Sequence, residues 1–301
     1  VLAEGNRVFG WSEGSRLTDF VYPRPAFDAE SRAEQERQLR RTEVAQPAIG
    51  AVSLGALKLL ESFGLRVGAY AGHSYGELPA LCAAGVFDSR ALHHLSRLRG
   101  HLMSSHRDGD AGSMLAVHAP LNRIEELLAE SRLELVIANK NAPNQTVLSG
   151  STPAVEAGVK ALQAKQIRQT RLPVAAAFHS ALVAEASRPF RGVLDSVAFS
   201  RATHPVYANS TASRYPDEPE EMRSLLAGQL SRPVEFVRAV ACMAPEAVPT
   251  FAEVGPGSTL SRLAESILKA QRELPACDAP SLHPSPRRRS CAPPPSPPLT
   301  P

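Results

Sequence analysis

Along the chain the spacing of apolar positions changes period several times, and each change predicts an element. In QPAIGAVSLGALKLLESFG (46–64), Ile49, Val52, Ala56, Leu59, Leu60 and Phe63 recur at steps of three and four, the period of one helix face. Pro47 suits the first turn, where a missing N–H costs nothing, and Gly64 suits the end. These six apolar residues are therefore expected to face inward on a buried helix. The next run, LRVGAYAG, is short, apolar and bounded by glycine, so it reads as a strand. It leads into HSYGELPALCAAG, which has helical composition: strand, sharp turn, helix.

From Ser113 to Phe178 the grammar changes. SMLAVHA, LELVIAN, QTVLSG and IRQTRLPVAAAF read as strands, and LNRIEELLAES and STPAVEAGVKALQAK as helices, in the order βαββαβ. That is a ferredoxin-like unit inserted into a larger domain. HSALVAEASRPFRGVLDSV (helix), HPVYAN (strand), PEEMRSLLAGQL and RPVEFVRAVACMAPE (helices), TFAEVGPG (strand and turn) and STLSRLAESILKAQRE (helix) follow. Strands alternating with helices imply a mostly parallel sheet covered on both faces, an α/β-hydrolase-like arrangement. The expected organisation is an amino-terminal arm (1–44) without clear elements except the polar helix SRAEQERQLRR, a large subdomain (45–112 and 179–268), the inserted unit (113–178), and a tail (269–301). Ten of the 26 prolines fall in the last 27 residues, so the tail is expected to be a linker or disordered. The opening reads as the middle of a longer polypeptide.

Composition narrows the chemistry. With 43% apolar and 5% aromatic residues in 301, and a net charge of +3 of which the tail supplies +2, the body is nearly neutral and offers little for nucleic acid to bind. No apolar run is long enough to span a membrane and no leader opens the sequence, which points to the cytoplasm. Cys82, Cys242, Cys277 and Cys291 lack the paired spacing of a metal or redox site.

The strongest local signal is Gly72-His73-Ser74-Tyr75-Gly76, the glycine-x-serine-x-glycine of a nucleophile elbow. Both glycines are expected to be needed where strand and helix cross. The turn lifts the Ser74 hydroxyl clear and leaves the Tyr75 N–H at a helix start, suited to an oxyanion. Serine needs a base, and His179, where the inserted unit returns to the larger domain, is the best candidate. His73 reads as packing. His93, His94, His101 and His106 have no metal spacing and read as solvated helix residues, so no metal is expected. Arg99 stands near the end of a helix whose exposed face already carries Arg97. Facing a cleft, it would grip a carboxylate in two places. The elbow alone also allows a serine esterase or thioesterase.

GHSYGELPALCAAGVFD, RLRGHLM, NAPNQTVLSG, AAFHSALV, GQLSRPVEF and FAEVGPGSTL, in collinear order over about residues 17–268, resemble the acyltransferase domains of type I polyketide and fatty acid synthases and the malonyl-CoA:acyl carrier protein transacylases. The opening and the form AGHSYGE look most like the iterative synthases that make enediynes or polyunsaturated fatty acids. The resemblance implies that Ser74 takes malonyl from malonyl-CoA and His179 serves as base. Arg99 would hold the malonyl carboxylate, Gln46 would line the acyl pocket, and Tyr75 would donate to the oxyanion. A main-chain carbonyl near Gln229 would orient the histidine in place of an aspartate. Phe178 resembles the malonyl-selecting form of its motif. No bound cofactor is implied. The partners would be the phosphopantetheine thiol of an acyl carrier protein and neighbouring domains such as a ketosynthase. Family members also carry an initial strand with a Gly-Gln-Gly loop that supplies a second oxyanion donor. No such loop precedes Val1, so the expectation is a shortened domain, with a non-catalytic fragment as the alternative.

Overall fold

The computed structural model describes residues 1–10, 14–104, 110–173, 177–180, 186–244 and 250–273. The elements run α1 (Leu2–Phe9), α2 (Leu17–Val21), α3 (Ala29–Arg40), α4 (Thr42–Ser62), β1 (Tyr70–Ala71), a 3-10 turn (Ser74–Gly76), α5 (Glu77–Ala83) and α6 (Ser89–Ser104). Then come β2 (Ser113–His118), α7 (Leu121–Ser131), β3 (Leu135–Ala142), β4 (Gln145–Gly150), α8 (Thr152–Ala164) and β5 (Arg168–Arg171). The chain continues through α9 (Ser187–Asp195), β6 (Val206–Tyr207), α10 (Pro219–Gly228), a 3-10 turn (Gln229–Ser231), α11 (Phe236–Met243) and α12 (Thr259–Glu273).

The fold is α/β. Strands β1 and β6 pair in parallel, with Tyr70 opposite Val206 and Ala71 opposite Tyr207. Strands β2 to β5 form an antiparallel sheet in the order β3-β4-β2-β5, the ferredoxin-like order. Strand β2 is buried on both faces, which is why it reads as a continuous apolar run. Leu115 and Val117 pack with Ile124, Leu127, Val155 and Leu162 under the two helices. Met114 and Ala116 pack on the other face with Ala138, Val147, Leu172 and Phe178. Each fully buried Leu or Val there contributes roughly 1.5–3 kcal/mol. That second face ties the small sheet to the segment carrying His179. A backbone ladder adds to the tie, since Lys140 N–H donates to Val234 C=O (2.8 Å) and Val234 N–H to Ala138 C=O (2.8 Å).

Several expectations are corrected. Helix α4 begins at Thr42, so Pro47 lies inside it, past the first turn. It buries Val44, Ala48, Ala51, Leu54 and Leu57, while Ile49, Leu59, Leu60 and Phe63 are exposed, Phe63 by 82%. The helix is apolar on nearly every side, so two stripes satisfy the 3.6 period. The one inside carries the small residues Ala48, Gly50 and Ala51, against which neighbouring chains can close. The opening residues do form helices. Asn6 Nδ2 donates to Thr18 Oγ1 (3.1 Å) and its Oδ1 accepts from Thr18 N–H (3.0 Å), and Phe9 and Leu17 pack on Val44 and Ala51. No strand forms over 250–257, because Glu253 turns back to accept the first N–H groups of α12, from Leu260 and Ser261. The parallel strands are two residues each, and the strand expected through Phe178 stops at Arg171, with 174–176 outside the described residues. Helix α12 continues to Glu273; the rest of the proline-rich tail, with Cys277 and Cys291, lies outside the described residues, as does His106.

The elbow glycines differ in need. A Cβ on Gly72 would fall 1.9 Å from the Gly76 carbonyl carbon, whereas one on Gly76 meets nothing within 4 Å. Only Gly72 is required by the crossing of strand and helix. Gly72→Ala is expected to unfold the elbow, lowering the thermal midpoint by several degrees and abolishing activity, while Gly76→Ala shifts the midpoint by less than about 4 °C. Equal midpoints for both variants would refute the steric argument.

Candidate active site

The site is assembled from four separated stretches. Ser74 sits at the break between β1 and α5 with φ +51°, a left-handed conformation that costs a non-glycine residue roughly 1–2 kcal/mol. His179 lies in a turn at φ +57°, braced by Ser180 Oγ donating to Ala177 C=O (2.6 Å). The two side chains meet, with Ser74 Oγ 2.8 Å from His179 Nε2. The other ring nitrogen, Nδ1, faces two carbonyls, Gln229 C=O at 3.1 Å and Arg232 C=O at 3.0 Å. Carbonyls only accept, so Nδ1 carries the proton and Nε2 is free to accept from the serine. Among the described residues no carboxylate bonds His179, which departs from the serine–acid–histidine order of esterases. The ring is 3% exposed, and burial, helped by Arg99 and His73, holds its pKa down to about 3. It is a neutral imidazole at physiological pH.

Arg99 on α6 is 1% exposed. Its Nη2 donates to Gln229 Oε1 (3.0 Å), and its Nε is buried without a partner. Burial lowers its pKa to about 10, so it keeps its charge. Among the described residues it forms no ion pair. A buried cation with spare donors beside a serine–histidine pair is a site for an anion. Gln229 links the parts. Its Nε2 donates to Ser74 C=O (2.6 Å), its Oε1 accepts from Arg99, and its backbone carbonyl receives His179.

Tyr75 turns its ring away from the serine into the gap between α4 and α6. Its hydroxyl meets Ser96 Oγ at 2.6 Å, and Ser96 donates onward to Leu92 C=O. Gly50 makes room, since a Cβ there would lie 2.1 Å from the Tyr75 oxygen. The Arg99 guanidinium stands 5.9 Å from the Tyr75 ring centre. Gln46 is buried on α4 with its Nε2 toward Met103 Sδ (3.6 Å) and its Oε1 unpartnered. Phe178 is half-buried between the large core and the second face of the small sheet. His73 packs edge-on against Phe236 and bonds Asn141 Oδ1 (2.7 Å). Burial depresses its pKa. His93, expected in solvent, is instead 2% exposed, because α1 covers that face of α6, and burial depresses its pKa. His94 and His101 are exposed.

Several residues at the site had no sequence signal. Asn209, just after β6, accepts from Ser74 N–H through Oδ1 (2.5 Å) and donates to Gly72 C=O through Nδ2 (2.6 Å). Glu77, first residue of α5, is buried between the Asn209 N–H and the Tyr215 hydroxyl. Burial raises its pKa to about 7. A cavity of about 1120 Å³ elsewhere, by Leu57, Cys82 and Phe87, holds none of these groups. Among the described residues there is no cluster of metal-binding side chains, and no helix is long and apolar enough to cross a membrane.

The family model described as "Acyl transferase domain" matches residues 2–288. A polyunsaturated fatty acid synthase polypeptide of Thraustochytrium sp. is 30% identical over 84% of this chain, which spans 9% of that polypeptide's length. The crystal structure of the malonyl CoA-acyl carrier protein transacylase from Burkholderia pseudomallei aligns with a TM-score of 0.79 at 30% identity, covering 91% of this chain and 90% of that one. The acyltransferase domain of an iterative polyketide synthase in enediyne biosynthesis aligns with a TM-score of 0.68 at 34% identity, covering 75% of this chain and 59% of that one. With a match along nearly its whole length, and a serine, a histidine and a buried arginine converging on one point, this chain belongs to the acyl transferase domain family.

Proposed function

We propose that this chain transfers malonyl from malonyl-CoA, through an ester on Ser74, to the phosphopantetheine thiol of an acyl carrier protein. The observation that carries the reading is Arg99, a buried guanidinium with an unpaired Nε beside the Ser74–His179 pair. An acyl group ending in a carboxylate satisfies it; a neutral acyl group leaves it unpaired.

The positions of Ser74 Oγ and His179 Nε2 support the following steps. His179 Nε2 takes the proton as Ser74 Oγ attacks the thioester carbon. The oxyanion forms at the start of the helical turn, by the Tyr75 N–H. The C–S bond breaks and the coenzyme A thiol leaves with that proton. The pantetheine thiol then gives its proton to His179 and attacks the ester carbon, and Ser74 Oγ leaves and recovers the proton. The carbonyls of Gln229 and Arg232 hold the ring in one tautomer throughout. Gln46 and Phe178 line the acyl side of the pocket in this reading. The carrier protein, a ketosynthase neighbour and a larger synthase are its partners, in keeping with the much greater length of the Thraustochytrium relative. A cytoplasmic setting accords with the free thiols Cys82 and Cys242.

Incubation with malonyl-CoA followed by intact-mass and peptide analysis tests this. One malonyl adduct on Ser74, discharged by a carrier-protein thiol and absent in Ser74→Ala, is the expected result. Release of free malonate with no transfer to the thiol would make the protein a hydrolase. A folded chain that takes no adduct would be the non-catalytic alternative.

A further inference from the structure

Ser74 occupies a backbone conformation that its own residue type disfavours, so something must hold it there. Locally the turn is closed by Gly76 N–H donating to His73 C=O (2.9 Å), which leaves the Ser74 N–H and the Gly72 carbonyl to distant partners. Among the described residues Gln229 binds the turn at the Ser74 carbonyl, and Asn209 binds both the Ser74 N–H and the Gly72 carbonyl, across 135 and 137 residues of sequence. Asn209 is itself fixed through its backbone. Its N–H donates to Glu77 Oε1 (2.7 Å), and its carbonyl accepts from Glu235 N–H (2.9 Å). The second Glu77 oxygen accepts from the Tyr215 hydroxyl. Glu77 is 1% exposed, Asn209 1% and Tyr215 8%. A carboxylate is a poor choice for a merely packed position, because burying it is costly unless each oxygen is used. Here each oxygen is used, and both bonds converge on the segment that pins the serine. Glu77 also sits three residues after Ser74, so the helix that carries the elbow carries its own anchor.

We propose that Glu77, held by Tyr215, is a positioning residue for acyl transfer: through Asn209 it sets the Ser74 hydroxyl in line with His179 without touching the acyl group. Displacing Asn209 turns the Ser74 hydroxyl off the imidazole; Arg99 lies on another helix but is attracted by the Glu77 charge, so Asn209→Ala, which leaves that charge in place, separates positioning from the grip on substrate. The inference rests on the acyl-transfer reading for its substrate but not for its geometry.

The test compares wild type, Glu77→Ala, Glu77→Gln, Asn209→Ala and the double variant Glu77→Ala/Asn209→Ala. Two rates are read: single-turnover acylation by malonyl-CoA, and labelling of Ser74 by a small fluorophosphonate, which reports serine–histidine alignment whatever the natural acyl group. Glu77→Ala and Asn209→Ala are each expected to slow both rates by about tenfold to a hundredfold, with KM for malonyl-CoA changed by less than about threefold. Glu77→Gln, which keeps the shape and one acceptor, should recover most of the rate. The double variant should be no slower than Asn209→Ala alone, since the two act in one chain of contacts. Multiplying losses, a loss confined to KM, or a lowered thermal midpoint with normal labelling would overturn the proposal. If Glu77→Ala fails to fold, Tyr215→Phe, which removes a single hydroxyl, should show the same split at smaller amplitude, and normal labelling there would equally overturn it. A wild type that takes fluorophosphonate but no malonyl would instead defeat the acyl-transfer reading and leave this geometry standing.

Discussion

Arg99→Ala cuts malonyl loading of Ser74 by roughly a hundredfold to several thousandfold and leaves acetyl loading within about fivefold of wild type. The size follows from burial. Arg99 is out of contact with solvent, so a carboxylate arriving beside it gives up water and recovers that loss only from the guanidinium. Removing one partner of such a pair costs about 3–5 kcal/mol, because the other charge is stranded in a low-dielectric pocket. Acetyl has no charge to strand, and losing the arginine also removes an unpaired donor. Part of the arginine's work is indirect, since it holds Gln229, which touches both Ser74 and His179. The acetyl rate reads that part alone. Arg99→Lys should recover only a fraction, because one ammonium cannot reach Gln229 and present a two-pronged face to a carboxylate. Loss of both acyl groups to the same degree would mean that Arg99 serves the framework and not the substrate.

His179→Ala slows acylation by roughly 10⁴- to 10⁶-fold, as removal of the base does in other serine enzymes. The pH dependence should change in form as well. In wild type the imidazole is held down to about 3, so it stays unprotonated from about pH 5 upward and its own titration sets no limb near 6.5. Without it, the attacking species is alkoxide in equilibrium with solvent hydroxide, and the residual rate should climb about tenfold for each pH unit. A residual rate independent of pH would show that another group takes the serine proton. The same depressed pKa bears on stability: the unfolded chain takes up a proton at about 6.5 and the folded one only near 3, so this contribution is complete above about pH 6.5 and lost as pH falls through that window.

Legibility varied with the range of the interactions. The four-stranded unit was readable where its strands are short and apolar, and QTVLSG is β4, residue for residue, whereas β5 is the polar RQTR. The 3.6 period found α4 and mistook its inner face. Both stripes carry enough apolar residues, and which one turns inward depends on α1, α2 and α6, which pack against it. The elbow was readable from five consecutive residues, yet the requirement for Gly76 was an overreach. Only the position of the crossing backbone distinguishes the two glycines. His93 was misplaced for a similar reason, since nothing in SRALHHLSRLRGHLM announces that α1 will cover it.

The amino-acid order by itself determined the class of elements, the serine's turn and the order in which the chemical groups occur, because these depend on steric and hydrogen-bonding preferences that act within a few residues. Only the tertiary structure decided that Asn209 closes the elbow and, among the described residues, that two carbonyls and no carboxylate orient His179 and that Arg99 is buried without an ion pair. Those depend on groups far apart in the chain meeting in a medium that excludes water, where the strength of a charge or a hydrogen bond is set by what surrounds it.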